Sequence, residues 1–461
     1  MWRSLVGIEA RCARVLVLIA LGACGDDGGV TNLPDAPSFP DAPPDAPVDA
    51  VAICPPLTGA GTLHGGSVTS AETWTAATSP HDLPFDMTIS AAVTIEACAV
   101  VRIGNDKTLT VVANGSIVAS GTPGLPVTIE RLDPANSWAS IRAIGGTLTF
   151  RHAVIRGGGD PLNATLPLAA ALDVRGGNGA TLPILTVENL TIEGSESQGI
   201  LLHQGGGFVA GSTGLTITGA AGFPMHSWAR AAGTIPSGAY TGNAIDEILL
   251  DGSAGAIRES STLLARGVPY RVGTQPDAVL DVSRIGGVAS LTIEPGVTLR
   301  FGVNGRLRID PAGGTAPANG ALIAIGTPAA PIVFTSAAAA PQAGDWNGIW
   351  LGNVADPTTR IQHARVEFAG GPSVTGSESC VDAAQTGPND AAIRILGGDP
   401  ATQFVTDTAI VSSARHGIDR GFRSNTKPDF LPSNTFTSVV GCSQTHPRDV
   451  SGVCPAIIPC P

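Results

Sequence analysis

Residues Ala289–Gly302 read ASLTIEPGVTLRFG, and the chain writes this stretch twice. Residues Ala91–Gly104 read AAVTIEACAVVRIG, so Thr94-Ile95-Glu96 recurs as Thr292-Ile293-Glu294 and Arg102-Ile103-Gly104 as Arg300-Phe301-Gly302, both at an offset of 198. Each copy alternates apolar and polar residues, the period-2 pattern of a half-buried strand. The correspondence extends downstream with a slowly rising offset. Gly121-Thr-Pro matches Gly326-Thr-Pro at 205, and Trp138-Ala-Ser-Ile141 matches Trp346-Asn-Gly-Ile349 at 208. His152-Ala-Val-Ile155 matches His363-Ala-Arg-Val366 at 211, and Gly199-Ile200 matches Gly417-Ile418 at 218. A weaker match sets Val68 beside Ile257. Such drift is what turn insertions on a stacked scaffold produce.

Between these landmarks lie short alternating runs, among them Thr108–Ala113, Ser116–Ala119, Val127–Glu130, Gly146–Phe150 and Leu190–Glu193. Asn114-Gly115 between two such runs is by itself a hairpin signal. The persistence of the runs, without an amphipathic helix between them, points instead to parallel coils stacked one on another. Gly (59) and Pro (36) together make about a fifth of the 461 residues, and aromatics only 4%, as fits many corners and small side chains. The fold expected is all-β: a right-handed parallel β-helix, a solenoid, built from two related halves. Residues 53–248 form the first half, and residues 249–461 the second with a Cys-containing C-terminal cap.

The N-terminus reads as an address. Arg3, Arg11 and Arg14 precede the apolar run Val15–Ala23, too short to span a bilayer. Leu21-Gly22-Ala23-Cys24 resembles the lipobox of bacterial lipoproteins, which implies a signal peptide at 1–23 and lipid attachment at Cys24. Gly25 after that cysteine implies, by the same resemblance, passage to the outer membrane. Residues 24–52 repeat Asp-Ala-Pro steps with six aspartates, a disordered acidic tether rather than core-forming sequence. The formal charge of −12 argues against nucleic acid and anionic membrane surfaces as partners. Beyond Cys24 the tether leads to six cysteines, Cys54, Cys98, Cys380, Cys442, Cys454 and Cys460, an even count that suggests three disulfides in an exported chain. Fifteen pairings are open. The early, isolated Cys54 and Cys98 make the best single pair.

TIEPGVTLRFG, GTPAAPIVFTS at Gly326–Ser336 and GDWNGIWL at Gly344–Leu351 resemble the pectin-lyase-like β-helix proteins of bacteria, over most of residues 60–445. That resemblance implies a fold and a surface location and carries over no site residue. Hydrolases of this group bear Asn-Thr-Asp, Asp-Asp, Gly-His-Gly and Arg-Ile-Lys; here Asp-Asp occurs only in the tether, at Asp26-Asp27, and the last two motifs are missing. The nearest approach, His416 and Asp419, reads better as scaffold around the core residue Ile418. Lyases of the group use Arg or Lys with Ca²⁺ on aspartates. Lysine is limited to Lys107 and Lys427, and Asp382, Asp390, Asp399 and Asp407 are scattered rather than written as a calcium loop. No cofactor is expected, with a Ca²⁺ site assembled across coils left open. His152 and His363 recur in both halves and read as polar caps. Trp138 and Trp346 also recur, as core or lid rather than sugar platforms, whereas Trp350 faces Arg142 in the other copy. No catalytic, cofactor-binding or metal-ligating residue is nominated. The expectation is a lipid-anchored outer-membrane protein with a non-catalytic β-helix that binds carbohydrate or an envelope component. The alternatives are a polysaccharide lyase or glycoside hydrolase with a site assembled across coils, and a purely structural spacer.

Overall fold

The computed structural model describes residues 53–161, 169–176, 182–252, 256–309, 319–352, 356–373, 379–380, 390–400, 402–424, 428–454 and 460. The signal segment, Cys24, the acidic tether and Asp382 lie outside these residues. Within them the chain is an all-β parallel β-helix. Its strands form four sheets of 12, 14, 5 and 5 strands, and consecutive members pair in parallel.

One turn of the helix shows how the sequence does this. Thr108–Val112 enters the 14-stranded sheet, then Ser116–Ser120 and Val127–Arg131 both join the 12-stranded sheet. Ser140–Ile144 returns to pair with Thr108–Val112, in register from Ser140↔Thr108 to Ile144↔Val112. Asn114, with φ 70, and Gly115 therefore turn a corner between two sheets and close no hairpin. At Gly115 a Cβ would lie 2.2 Å from the carbonyl oxygen of Ile89 on the coil below, so the corner admits no side chain there.

Alternation turns one row of side chains inward, and the register stacks like on like. Leu109, Ile141, Leu172, Ile200, Met225 and Ile248 are successive partners along the 14-stranded sheet, each at most 1% exposed. Burying each such side chain stabilises the fold by about 1.5–3 kcal/mol. Truncating one, as in Ile200→Ala, costs about 2–5 kcal/mol because a rigid stack cannot close the gap.

Matched residues of the two copies take matched local conformations. His152 and His363 both sit at bends with positive φ, 43° and 46°. Asp106 and Asn304 share φ 57° and 56°. Gly159 and Gly370 share φ 77° and 78°, and at both a Cβ would come within 2.4 Å of a serine Oγ, of Ser195 and Ser413 respectively. Sheet membership, however, does not match. Ser140–Ile144 lies in the 14-stranded sheet, whereas its copy Gly348–Leu351 lies in a five-stranded one. Val100–Ile103 lies in the 12-stranded sheet, and its copy Thr298–Phe301 in the 14-stranded one. The second copy is thus rotated by one face about the helix axis. The 14-stranded sheet runs from Ser67–Val68 to Thr435–Thr437 and plays one role in the first copy and the preceding role in the second. The sequence matches alone contain no trace of this shift.

Both ends are pinned. Disulfides join Cys54 to Cys98, Cys380 to Cys454 and Cys442 to Cys460. At the last coil, the Ile418 N–H donates to Ser443 O and the Thr445 N–H to Ile418 O, so the cap satisfies the strand edge beneath it. Among the described residues no helix is long and apolar enough to cross a membrane.

Candidate functional site

The tryptophans, histidines and aspartates weighed in the sequence belong largely to the scaffold. Trp74, Trp138 and Trp346 are at most 1% exposed, so none offers a face to a sugar. Trp346 stacks on Phe301 at 4.3 Å and donates Nε1–H to Glu367 O. His416 and Asp419 are 1% and 0% exposed. Nδ1 of His416 accepts from the Cys442 N–H, and burial pushes its pKa down to about 4. Asp419 accepts from the Thr445 hydroxyl at 3.2 Å and lies 3.7 Å from Arg394 Nε. Asp390 accepts from the Ser373 N–H, and Asp407 from Gln362 Nε2. Among the described residues no three His, Cys, Asp or Glu side chains group as a metal site.

A cleft with the features of a ligand site lies elsewhere, on both sides of Asp277. That residue sits at φ 61° in the turn between strands Tyr270–Val272 and Val279–Val282. One cavity of 290 Å³ is lined by Asp277, Asn304, Arg306, Asn347, Trp350, Pro372 and Ser373. The other, 260 Å³, shares Asp277 and adds His226, Leu249, Asp251 and residues Gly273–Pro276.

The first cavity is built by register. Arg308, Trp350, Arg394 and Asp419 are successive partners across one five-stranded sheet. Trp350 is 7% exposed, donates Nε1–H to Asn347 O, and holds the guanidinium carbons of Arg394 and Arg306 at 4.7 and 5.0 Å from its ring centroid. These cation–π contacts keep two positive charges beside a half-closed space. Burial lowers the pKa of Arg306, with Arg308 acting in the same direction. Arg306 Nε and Asn347 Oδ1, the latter on a residue 4% exposed, are buried without a hydrogen-bond partner. In the second cavity His226 is 5% exposed, its Nδ1 is also without a partner, and burial holds its pKa down at about 4. Each orphaned group costs about 1–3 kcal/mol unless something enters to pair with it.

The first copy shows what these positions look like when closed. Arg142 stands where Trp350 does, and Asp173 where Arg394 does, and they pair at 3.0 Å with Arg175 joining at 2.6 Å. Asp106 replaces Asn304 and Asp160 replaces Gly371, and the hydrogen bond that the protonated Asp106 carboxyl donates to Asp160 is the main cause that raises the pKa of Asp106. The sequence signal for the cleft was the mismatch of Trp350 with Arg142. His226, Asp277, Arg306 and Asn347 carried no motif and emerge only from stacking. Comparison with known protein families, with curated proteins and with solved structures returned no match for this chain.

Proposed function

We propose that this protein is a lipid-anchored protein of the bacterial outer membrane whose β-helix, of the pectin-lyase-like kind, binds a polysaccharide without cleaving it. The anchor rests on Leu21–Cys24 and the apolar run before it. The observation that carries the binding reading is the set of orphaned polar atoms, His226 Nδ1, Arg306 Nε and Asn347 Oδ1, on two cavities that share Asp277. Donors and acceptors are mixed, as recognition of hydroxyl groups requires, because each hydroxyl both donates and accepts. Each cavity alone falls short of the ~300 Å³ usual for a small-molecule pocket. Two small adjacent cavities suit consecutive units of a chain better than one compact ligand.

A second reading, hydrolysis, is favoured by one observation: Asp251 and Asp277 line the same cavity, and glycoside hydrolysis needs two carboxyls across the scissile bond. Purified residues 53–461 incubated with a polysaccharide panel separate the two. Retention on at least one glycan, lost about tenfold or more in Asn347→Ala and Asp277→Ala, supports binding. Release of new reducing or unsaturated ends overturns the non-catalytic reading, and neither retention nor release on any glycan overturns both. For the anchor, Cys24→Ala abolishes membrane fractionation; unchanged fractionation overturns it.

A further inference from the structure

Beside the cavity of His226 lies a group of side chains that the cleft does not use. Met225–Trp228 pairs with Gln198–His203 below and Ile248–Asp251 above, so Trp228 follows His226 on the same face of the sheet. The chain then enters the 3-10 helix Ala229–Thr234, which carries Arg230 back over the indole, its guanidinium carbon 4.7 Å from the ring centroid. His203 meets the same indole edge-on, with centroids 5.2 Å apart and planes at 74°.

Arg230 Nε and Nη2 are both buried without a partner, and so is His203 Nδ1. The side chain as a whole is only partly buried, but two guanidinium nitrogens buried without partners are costly, and the ring beneath supplies only part of the compensation. Two carboxylates that act on His203 have other partners. Asp173 is held by Arg142 and Arg175, and Asp251 has its own partner. Glu259 and Arg258 act on Arg230 through space with opposing signs, and neither forms an ion pair with it among the described residues.

We infer that Arg230, His203 and Trp228 form a subsite for a tetrahedral oxyanion, a phosphate or sulfate group carried by the ligand of the adjoining cleft. The guanidinium fork supplies two parallel donors. The imidazole adds a third from a ring that meets the same indole edge-on. Three donors from two side chains suit the several free oxygens of a phosphate or sulfate group better than the two of a carboxylate. The protein's net charge of −12 opposes any anion at long range, so the subsite works by contact and its affinity for a free ion is modest.

The inference rests on the cleft reading for the ligand that carries the anion, and the test keeps the two apart. Residues 53–461 are titrated with inorganic phosphate and with sulfate at constant ionic strength held by chloride, using calorimetry and the ¹⁵N shift of His203. Saturable binding that moves the His203 signal, weakened about tenfold or more in Arg230→Gln and partly retained in Arg230→Lys, is the expected result. A His203 signal unmoved by either ion in the wild-type protein overturns the subsite even where the variant fails to fold. Equal binding by wild type and a folded Arg230→Gln does so too. Sulfated, phosphorylated and neutral forms of one glycan complete the test. Preference for a charged form, abolished by Arg230→Gln, identifies which ester is read. Retention of the neutral form alone leaves the cleft reading standing and overturns the subsite. Ion binding without retention of any glycan does the reverse.

Discussion

Arg142 and Trp350 hold one position in two copies of the same coil, and they do opposite things. Arg142 pairs with Asp173 on the next coil and closes the surface. Trp350 instead meets Arg394 on the next coil and Arg306 on its other neighbour, and a cavity opens beside it. An internal duplication thus supplies its own control, with one fold, equivalent places and only one of them opened.

Removing the indole separates its two roles. Trp350→Ala is expected to destabilise the protein by about 3–5 kcal/mol, the usual cost of a deleted buried aromatic, and to abolish glycan retention at temperatures where the variant is folded. Trp350→Phe retains a ring face for the guanidiniums and keeps most of both. Denaturant midpoints and retention on the glycan panel read the two effects. Full retention in a folded Trp350→Ala counts against the cleft.

The acid pair of the first copy responds to pH in a defined direction. The hydrogen bond with Asp160 holds the Asp106 pKa above its ordinary 3.8. A raised carboxyl contributes stability that is present below the unfolded pKa and lost as pH rises through the folded one. Asp106→Asn, which installs the residue found at Asn304, is therefore expected to raise the melting temperature at pH 7–8. The gain disappears below about pH 4. An unchanged melting temperature at pH 8 counts against the pairing.

Two buried histidines set the acid limit. His226 and His416 are held at about 4, against an ordinary 6.5, by burial. A depressed value means that the unfolded chain takes up the proton first, so stability is complete above the unfolded value and falls as pH drops from 6.5 toward 4. The expected slope is about 1.4 kcal/mol per pH unit for each histidine across that window. His416→Gln should flatten the curve of melting temperature against pH, whereas equal slopes in variant and wild type would assign the acid limit elsewhere.

The first disulfide closes a long loop. Cys54 and Cys98 are 44 residues apart, for which chain entropy gives about 4 kcal/mol. The double substitution Cys54→Ser with Cys98→Ser is expected to lower the denaturant midpoint accordingly. A loss under about 1 kcal/mol would mean that the unfolded chain keeps these segments together without the bond.

Much of the architecture was legible because it rests on short-range pattern. Alternation in segments such as Thr108–Val112 fixed which side chains face inward, and the recurrence of His152 as His363 located equivalent corners. The pairing of Cys54 with Cys98 followed from isolation in the chain. What stayed hidden depends on which coil lies over which. Asp277 comes to line one cavity with Arg306 and Asn347 only through stacking, and nothing in their spacing foretells it. His203, Trp228 and Arg230 form one group only because Gln198–His203 lies under Met225–Trp228. The sheet exchange between copies was equally invisible, since each strand's own pattern is satisfied on any face.

That exchange decides which way the equivalent niches of the two copies face. Two copies joined in phase would display their equivalent niches at the same azimuth, and a straight filament lying along the axis would engage both. Advancing the second copy by one face points the niche of Asp106 and Asp160 in a different direction from that of Asn304 and Arg306. A rod-like partner lying along the axis would therefore reach one of the two niches and not the other.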